Sequence, residues 1–431
     1  LNVQEHWYPV AFEQDLDPTG LKRIQLLGKG YVLFRGEDGD LACLEDRCPH
    51  RMARLSDGRW KDGQVECLYH GWTFTRKGAC TSIPQLPTDA SIPEKACAVP
   101  LPIDVVQGIV WIWPMAGGPP PQERPEAIEA LDAAGNHAID YYTELPYSQE
   151  ALVENVLDFA HIHIAHDGVR GGGLRMNAGP LAFDIEDLGP QGFQAQFRSA
   201  SRDAADGHER TLGALVTFGA PTLVHYVSTF ADKSRHSGLA LYCVPMDSDR
   251  CSLLYRAYGN AWPDRDRKRP RWREHLYQLD LLEQDMAVVR GQSEEMRRSS
   301  EPLKSTWFPI KSLDPLVLRY RKWIDAHSLE IPGAIGWERK GPAPAPQPVP
   351  TTDRHSLHTQ HCVSCSDALK QAQRLLLASV AATAVLVLIS RWLPPLLFLP
   401  LAAATLFAAY RSQRTVHALG GRALATPRPL T

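Results

Sequence analysis

Cys48-Pro-His50 and, sixteen residues further on, Cys67-Leu-Tyr-His70 decide how this chain reads. Each short prong offers one thiolate and one imidazole. Around the prongs the sequence is β-like. Gly30–Phe34 is apolar, Gly36-Glu-Asp-Gly39 supplies a turn, and Gly108–Trp113 (GIVWIW) reads as a buried closing strand. Residues 1–118 are therefore expected to form an all-β domain, broken off by Gly117-Gly-Pro-Pro-Pro121.

Two soft thiolates can hold one iron while two imidazoles hold the other, which is the Rieske [2Fe–2S] arrangement. Zinc also accepts two Cys and two His, but zinc sites usually group the cysteines as one pair and the histidines as another. Here each prong is mixed. Cys48, His50, Cys67 and His70 are thus expected to carry an electron relay.

Beyond the break the pattern changes. Glu150–His161 has helical spacing, with Leu152, Val153, Val156, Leu157 and Ala160 on the apolar side. Phe193–Phe197, Leu223–Phe230, Leu239–Val244 and Leu253–Tyr258 read as neighbouring antiparallel strands, and Arg271–Arg298 as a long helix. The middle of the chain is α+β rather than a βαβ repeat. Gly171-Gly-Gly173 lacks the strand-before, helix-after setting of a dinucleotide fingerprint, so electrons for any redox step must come from outside.

A second constellation starts this middle part: Glu154-Asn155-Val-Leu-Asp158-Phe-Ala-His161-Ile-His163-Ile-Ala-His166. Two histidines five apart, with a distant carboxylate, suit a two-His-one-carboxylate Fe(II) site with positions open for O₂ and substrate. A His-rich helix end is more often structural. Beside a relay cluster the balance reverses, because the electrons need a consumer.

After Gly341-Pro-Ala-Pro-Ala-Pro-Gln-Pro-Val-Pro350, part of an expected linker over 331–360, the tail of 361–431 turns apolar. Leu375–Ser390 and Trp392–Tyr410 lack charge and are parted only by Arg391, which reads as a transmembrane hairpin turning near Pro394-Pro395. Lys370 and Arg374 before it, and Arg411 and Arg414 after it, put both ends on the cytoplasmic-type side. The alternative is a buried helical hairpin of the core.

The 431 residues are 44% hydrophobic and 22% charged, an ordinary globular composition. Lys plus Arg is 46 against 49 Asp plus Glu, which argues against a nucleic-acid partner. Nine cysteines do not make a disulfide scaffold in a chain this long. Leu1 rather than Met opens the sequence, so upstream residues are expected, and no secretory segment supports export.

The chain resembles the Rieske non-haem iron oxygenases, and within them the chlorophyll-breakdown branch that contains pheophorbide a oxygenase. The likeness rests on Leu44–Leu86, Glu283-Gln-Asp-Met286, Tyr320-Arg-Lys-Trp323, and His361-Cys362-Val-Ser-Cys365 followed by the apolar hairpin. It implies a helix-grip catalytic domain over 122–330, with His161, His166 and Asp285 on a mononuclear Fe(II), and Asp280 and Glu283 as alternative carboxylates. Asp158, with Asn155 beside it, is implied as the catalytic link, Asp158 bridging a cluster histidine and an iron histidine. His163 is left as a packing or surface residue.

The resemblance further implies ferredoxin as electron donor, a head-to-tail homotrimer, and O₂-dependent oxidation of a tetrapyrrole such as pheophorbide a. The expected location is a membrane of thylakoid, plasma or plastid-envelope type, with the catalytic part on the cytoplasmic or stromal side. Rival readings are hydroxylation of chlorophyllide, protochlorophyllide or linear chlorophyll catabolites, or a membrane redox relay without turnover. Arg47, Arg51, Arg54, Arg59 and Lys61 offer a basic rim for an acidic ferredoxin, although Asp46, Asp57 and Asp62 are interleaved. Cys362 and Cys365 read as a redox pair, or with His355, His358 and His361 as a small metal site.

Overall fold

Short antiparallel strands dominate the chain up to residue 115. The computed structural model describes residues 2–115, 123–132, 135–169, 172–198, 211–230, 232, 234–260, 268–341 and 353–421. The Gly-Pro break at 117–121, Gly171 and the proline run of 342–350 lie outside the described residues. In chain order the strands are β1 (Tyr8–Phe12), β2 (Lys22–Leu26), β3 (Lys29–Arg35), β4 (Leu41–Glu45), β5 (Arg59–Lys61) and β6 (Gln64–Glu66). β7 (Thr73–Phe74), β8 (Cys80–Ser82), β9 (Pro100–Leu101), β10 (Ile103–Val106) and β11 (Ile109–Ile112) follow. They form three sheets: β1-β11-β10, β2-β3-β4-β9 and β5-β6-β7-β8.

The middle of the chain builds one seven-stranded antiparallel sheet. Its strands are β12 (His137–Leu145), β13 (Phe183–Asp187), β14 (Gly192–Arg198), β15 (Thr211–Gly219), β16 (Leu223–Phe230), β17 (Ser237–Pro245) and β18 (Cys251–Gly259). Their spatial order is β12-β18-β17-β16-β15-β14-β13. The four segments read from sequence are strands, but they are not all neighbours: β15 separates β14 from β16. Gly213 and Ala214 dilute its apolar alternation, so it did not stand out.

Period-two alternation gives this sheet two working faces. Leu241, Cys243 and Leu253 face the helices, whereas Ala240, Tyr242, Val244 and Leu254 pack on Val10, Ile24 and Trp111 of the N-terminal strands. Buried Arg256 fixes that junction. It holds Asp140 in a bidentate pair at 2.6 and 2.8 Å and donates to the Gln107 carbonyl at 2.7 Å.

On the other face lie α1 (Gln149–Leu157), α2 (Ile162–Ala165), α3 (Arg271–Arg298) and α4 (Pro315–His327). Fully buried Arg321 of α4 grips Glu154 of α1 and donates to the Ile335 carbonyl at 2.6 Å. The expected linker is shorter than 331–360. Ile331, Ala334, Ile335 and Trp337 are buried, and α5 (Arg354–Leu357) docks with Leu357, His358 and Thr359 buried. Side chains this apolar gain more from the core than a proline tether gains from water.

The tail is an antiparallel hairpin of α6 (Val363–Ile389) and α7 (Pro395–Gly420), turning through Ser390–Trp392. Both arms are long and apolar enough to cross a membrane, and only 11% and 6% of their most apolar windows is buried. That rules against a core hairpin, because a core helix hides its leucines. Leu377, Leu388 and Leu396 are 72%, 73% and 88% exposed, which suits lipid. The root is packed into the protein, with Cys365, Leu369 and Leu419 buried beside Trp272 and Leu276.

Candidate active site

The two prongs are built alike. In the first, the Cys48 N–H donates to the Ala53 carbonyl at 2.8 Å; in the second, the Cys67 N–H donates to the Trp72 carbonyl at 2.8 Å. Four residues after each cysteine the backbone turns left-handed, at Met52 (φ 61°) and Gly71 (φ 74°). A methionine there is unusual, since a side chain crowds that conformation. The result buries both thiols and leaves His50 exposed and His70 half-buried, their rings 4.5 Å apart. His50 stacks on Trp72 at 4.7 Å. Burial pushes the Cys48 thiol up to about 11, so a metal must displace its proton. Two buried sulfurs beneath two outward imidazoles fit a cluster with one thiolate-held and one histidine-held iron.

α1 ends at Asp158, and α2 carries the chain from His161 to His166. α3 crosses them and brings in Asp285. The Asp285 Oδ2 lies 3.2 Å from His166 Nε2 and 3.6 Å from His161 Nε2, and the three donors all fall within 4.8 Å of one another. Asp280 and Glu283 are not at the site. At roughly 100° per helical residue they face away from Asp285, and both bind Arg354 instead. Burial lowers the His161 pKa, but the Asp158 and Asp285 carboxylates outweigh it and raise it to about 10. Burial likewise raises Asp285, yet the two imidazoles hold it down to about 2. The pocket therefore favours a positive charge among these donors, the role an Fe(II) ion fills.

Outer groups orient the rings. Gln284 Oε1 sits 2.8 Å from His166 Nδ1, which leaves Nε2 free to face the metal position. Asp158 lies 3.5 Å from His161 Nδ1 and also accepts the Ala160 N–H at 2.8 Å. Nothing in the sequence marks Gln284 except its place next to Asp285. His163 is no donor to this site and takes the Leu174 N–H at 3.3 Å. A cavity of about 430 Å³ opens on His161 and Asp285, lined also by Asn155, Asp158, Val288, Trp307, Phe308 and Val317 among others.

The basic rim is partly spent. Arg47 pairs with Glu45, Arg59 and Lys61 pair with Glu66, and Arg51 lies over Tyr69.

Residues 6–100 match the Rieske [2Fe-2S] domain family, and residues 218–302 match the pheophorbide a oxygenase family. The structure also aligns with the crystal structure of dicamba monooxygenase bound to dicamba, at a TM-score of 0.62 and 22% identity, covering 75% of this chain and 96% of that one. Fold, prongs and two-His-one-Asp site together define a Rieske-type non-haem iron oxygenase. Among its relatives are TIC 55, chloroplastic, of Arabidopsis thaliana, 30% identical over 89% of this chain and 77% of the relative. Pheophorbide a oxygenase, chloroplastic, of the same plant is 32% identical over 88% of this chain and 75% of the relative. The chain belongs to this chlorophyll-catabolism branch of the Rieske oxygenases.

Proposed function

We propose that this protein is a membrane-anchored, ferredoxin-dependent oxygenase that oxidises a tetrapyrrole pigment, pheophorbide a or a close relative. The observation that carries the reading is the meeting of His161, His166 and Asp285 in a chain that also presents the Cys48/His50/Cys67/His70 prongs. In this assignment residues 1–118 hold the cluster, and the catalytic part begins at about 122 and runs through Trp337. When bound, the cluster supplies electrons one at a time and the mononuclear iron supplies O₂ activation. The chain's own work is orientation. Gln284 sets the His166 tautomer, the Asp158 carboxylate faces His161 Nδ1 at 3.5 Å, and Asn155 lines the approach.

Within one chain His50 and His70 contact each other, Trp72 and Tyr69, while Asp158 contacts His161. A head-to-tail trimer would bring a neighbour's cluster to Asp158. Exposed Met52, Leu68 and Tyr69 at the prong tips, and exposed Val288, Phe308 and Ile310 near the iron cavity, support such a contact between subunits. The pigment assignment draws on the similarity to pheophorbide a oxygenase and on the hairpin, which would hold the cavity near lipid-dissolved chlorins. The chloroplastic relatives support a plastid membrane, and the flanking Lys370, Arg374, Arg411 and Arg414 favour a catalytic part on the stromal side.

The test is a single turnover: enzyme reduced without oxygen, a panel of carboxylated tetrapyrroles and small aromatic acids, one admission of O₂, and mass spectrometry. Conversion of a pigment with ¹⁸O from ¹⁸O₂ in the product is expected. Conversion of an aromatic acid alone would overturn the pigment reading and keep the oxygenase. Two irons per chain in place of three, with no product, would favour a relay.

A further inference from the structure

A second cluster of metal-ligating side chains lies at the foot of the hairpin. His275 comes from α3, His358 from the turn after α5, and Cys362 and Cys365 from the start of α6. All four are 0–2% exposed. Their donors lie within 4.8 Å of one another. We propose that His275, His358, Cys362 and Cys365 form a closed tetrahedral zinc site that fastens the root of the membrane hairpin to the helix carrying Asp285.

The ring nitrogens turned away from the cluster make the case. His275 Nε2 lies 2.7 Å from the Asp140 carbonyl, and His358 Nδ1 lies 2.5 Å from the Tyr142 carbonyl. A carbonyl only accepts, so those nitrogens carry the protons. In the tautomer so fixed, the other nitrogens, His275 Nδ1 and His358 Nε2, turn their lone pairs inward only 3.1 Å apart. Two such acceptors face to face in a dry core repel each other unless a proton or a metal ion lies between them, and the two cysteine sulfurs beside them complete a metal's donor set. A Cys362–Cys365 disulfide would leave that repulsion in place; both cysteines are free in the structure.

The distances suit zinc. Bonds of about 2.3 Å to sulfur and 2.0–2.1 Å to nitrogen give a tetrahedron with edges of roughly 3.3–3.8 Å. Here the nitrogen–sulfur separations are 3.2 Å for His358 to Cys365, 3.4 Å for His275 to Cys365, and 3.5 Å for His275 to Cys362. Two thiolates and one Zn²⁺ sum to zero charge, which a buried site tolerates.

The surroundings complete the arrangement that bound ligands need. Arg271 Nη2 donates to Cys362 Sγ at 3.1 Å, and the same guanidinium pairs with Asp15. Asp15 in turn accepts the Val363 N–H at 2.9 Å. Tyr141 stacks on His358 at 4.4 Å. β12, α3 and α6 thus converge on one point, and His275 stands ten residues before Asp285, about 15 Å along the helix.

Metal analysis of the detergent-solubilised full chain, grown in zinc-containing medium, tests this. One zinc per chain is expected, with an X-ray absorption edge fitted by two sulfur and two nitrogen neighbours. Cys365→Ser and His275→Ala should each cut zinc more than tenfold, while Cys48→Ser leaves it at one. Should Cys365→Ser fail to accumulate, His275→Cys keeps the decision open: it should retain zinc with a three-sulfur edge, which a packing role does not explain. Wild-type protein without zinc, zinc that survives both ligand deletions, an edge without sulfur, or a Cys362–Cys365 disulfide in protein purified without reductant would each overturn the site. None of these readouts depends on the substrate assigned above.

Discussion

α3 carries one member of each of two clusters, and they differ in every respect that separates a catalytic from a structural site. The His161/His166/Asp285 group has three donors, borders a cavity, and leaves the His161 side chain 21% exposed. The His275/His358/Cys362/Cys365 group has four donors and no opening. A metal with three protein ligands keeps coordination positions for reactants, whereas a saturated one holds elements together. The same helix therefore presents a reactive site and, three turns earlier, an anchor point.

Removing a donor from each group breaks this comparison most severely. His166→Ala is expected to abolish turnover and lower iron from three to two per chain without moving the anchor's metal. A variant that kept three irons and wild-type activity would end the triad assignment. Iron and zinc counts with one turnover assay decide it.

Asp158→Asn probes the orienting groups. The carboxylate has two acceptor oxygens for imidazole N–H groups, and an amide has one. Full iron loading with turnover lowered roughly 10–100-fold is expected, the usual cost of losing an outer-shell partner. A wild-type rate at full iron content would remove Asp158 from the link between centres. Gln284→Ala should do less. His166 keeps its place beside Asp285, so a loss of about tenfold in Fe(II) affinity is expected, measured by competition with a coloured chelator. Unchanged affinity would mean that Gln284 does not set the tautomer.

The two clusters also mark what the sequence could and could not disclose. Cys48, His50, Cys67 and His70 stand out in the sequence because two short, like-built turns supply all four, one leading from β4 into β5 and one joining β6 to β7. The iron histidines were legible for a similar reason, lying on one helix end. Their carboxylate was ambiguous among Asp280, Glu283 and Asp285 until the face of α3 was known; Arg354, from beyond the proline run, takes the first two. The anchor was half visible. The Cys-x-x-Cys stood out, and His355, His358 and His361 were candidates beside it. Its fourth member, His275, meets His358 across 83 residues, a contact that only the packing of α3 against β12 creates. Proline-rich sequence misled in the same region, because composition read the whole of 331–360 as a tether while Trp337 and Leu357 at its ends were core.

The smallest effect is expected where shaft and root of the hairpin part company. Thr383 Oγ1 donates to Thr405 Oγ1 at 2.9 Å, which fixes the antiparallel register and pairs residue 378 with about 410. Below that level the root is tied in. Arg354 Nη1 donates to the Ala418 carbonyl at 2.8 Å, Thr359 Oγ1 donates to the Leu419 carbonyl at 2.6 Å, and the Arg354 N–H reaches Gly421 at 2.9 Å. Above it, among the described residues, the two arms pack on each other and expose their leucines. Excising residues 379–409 and joining the arms by a short Gly-Ser turn should therefore remove the need for detergent. The cluster absorbance, three irons and the anchor's metal should all stay as in the full chain. Cutting the chain after residue 361 should instead expose Trp272 and Leu276 and free His275, lowering the melting temperature. If the excised protein lost its cluster or its irons, the shaft would belong to the core and the division between lipid-facing shaft and packed root would fall.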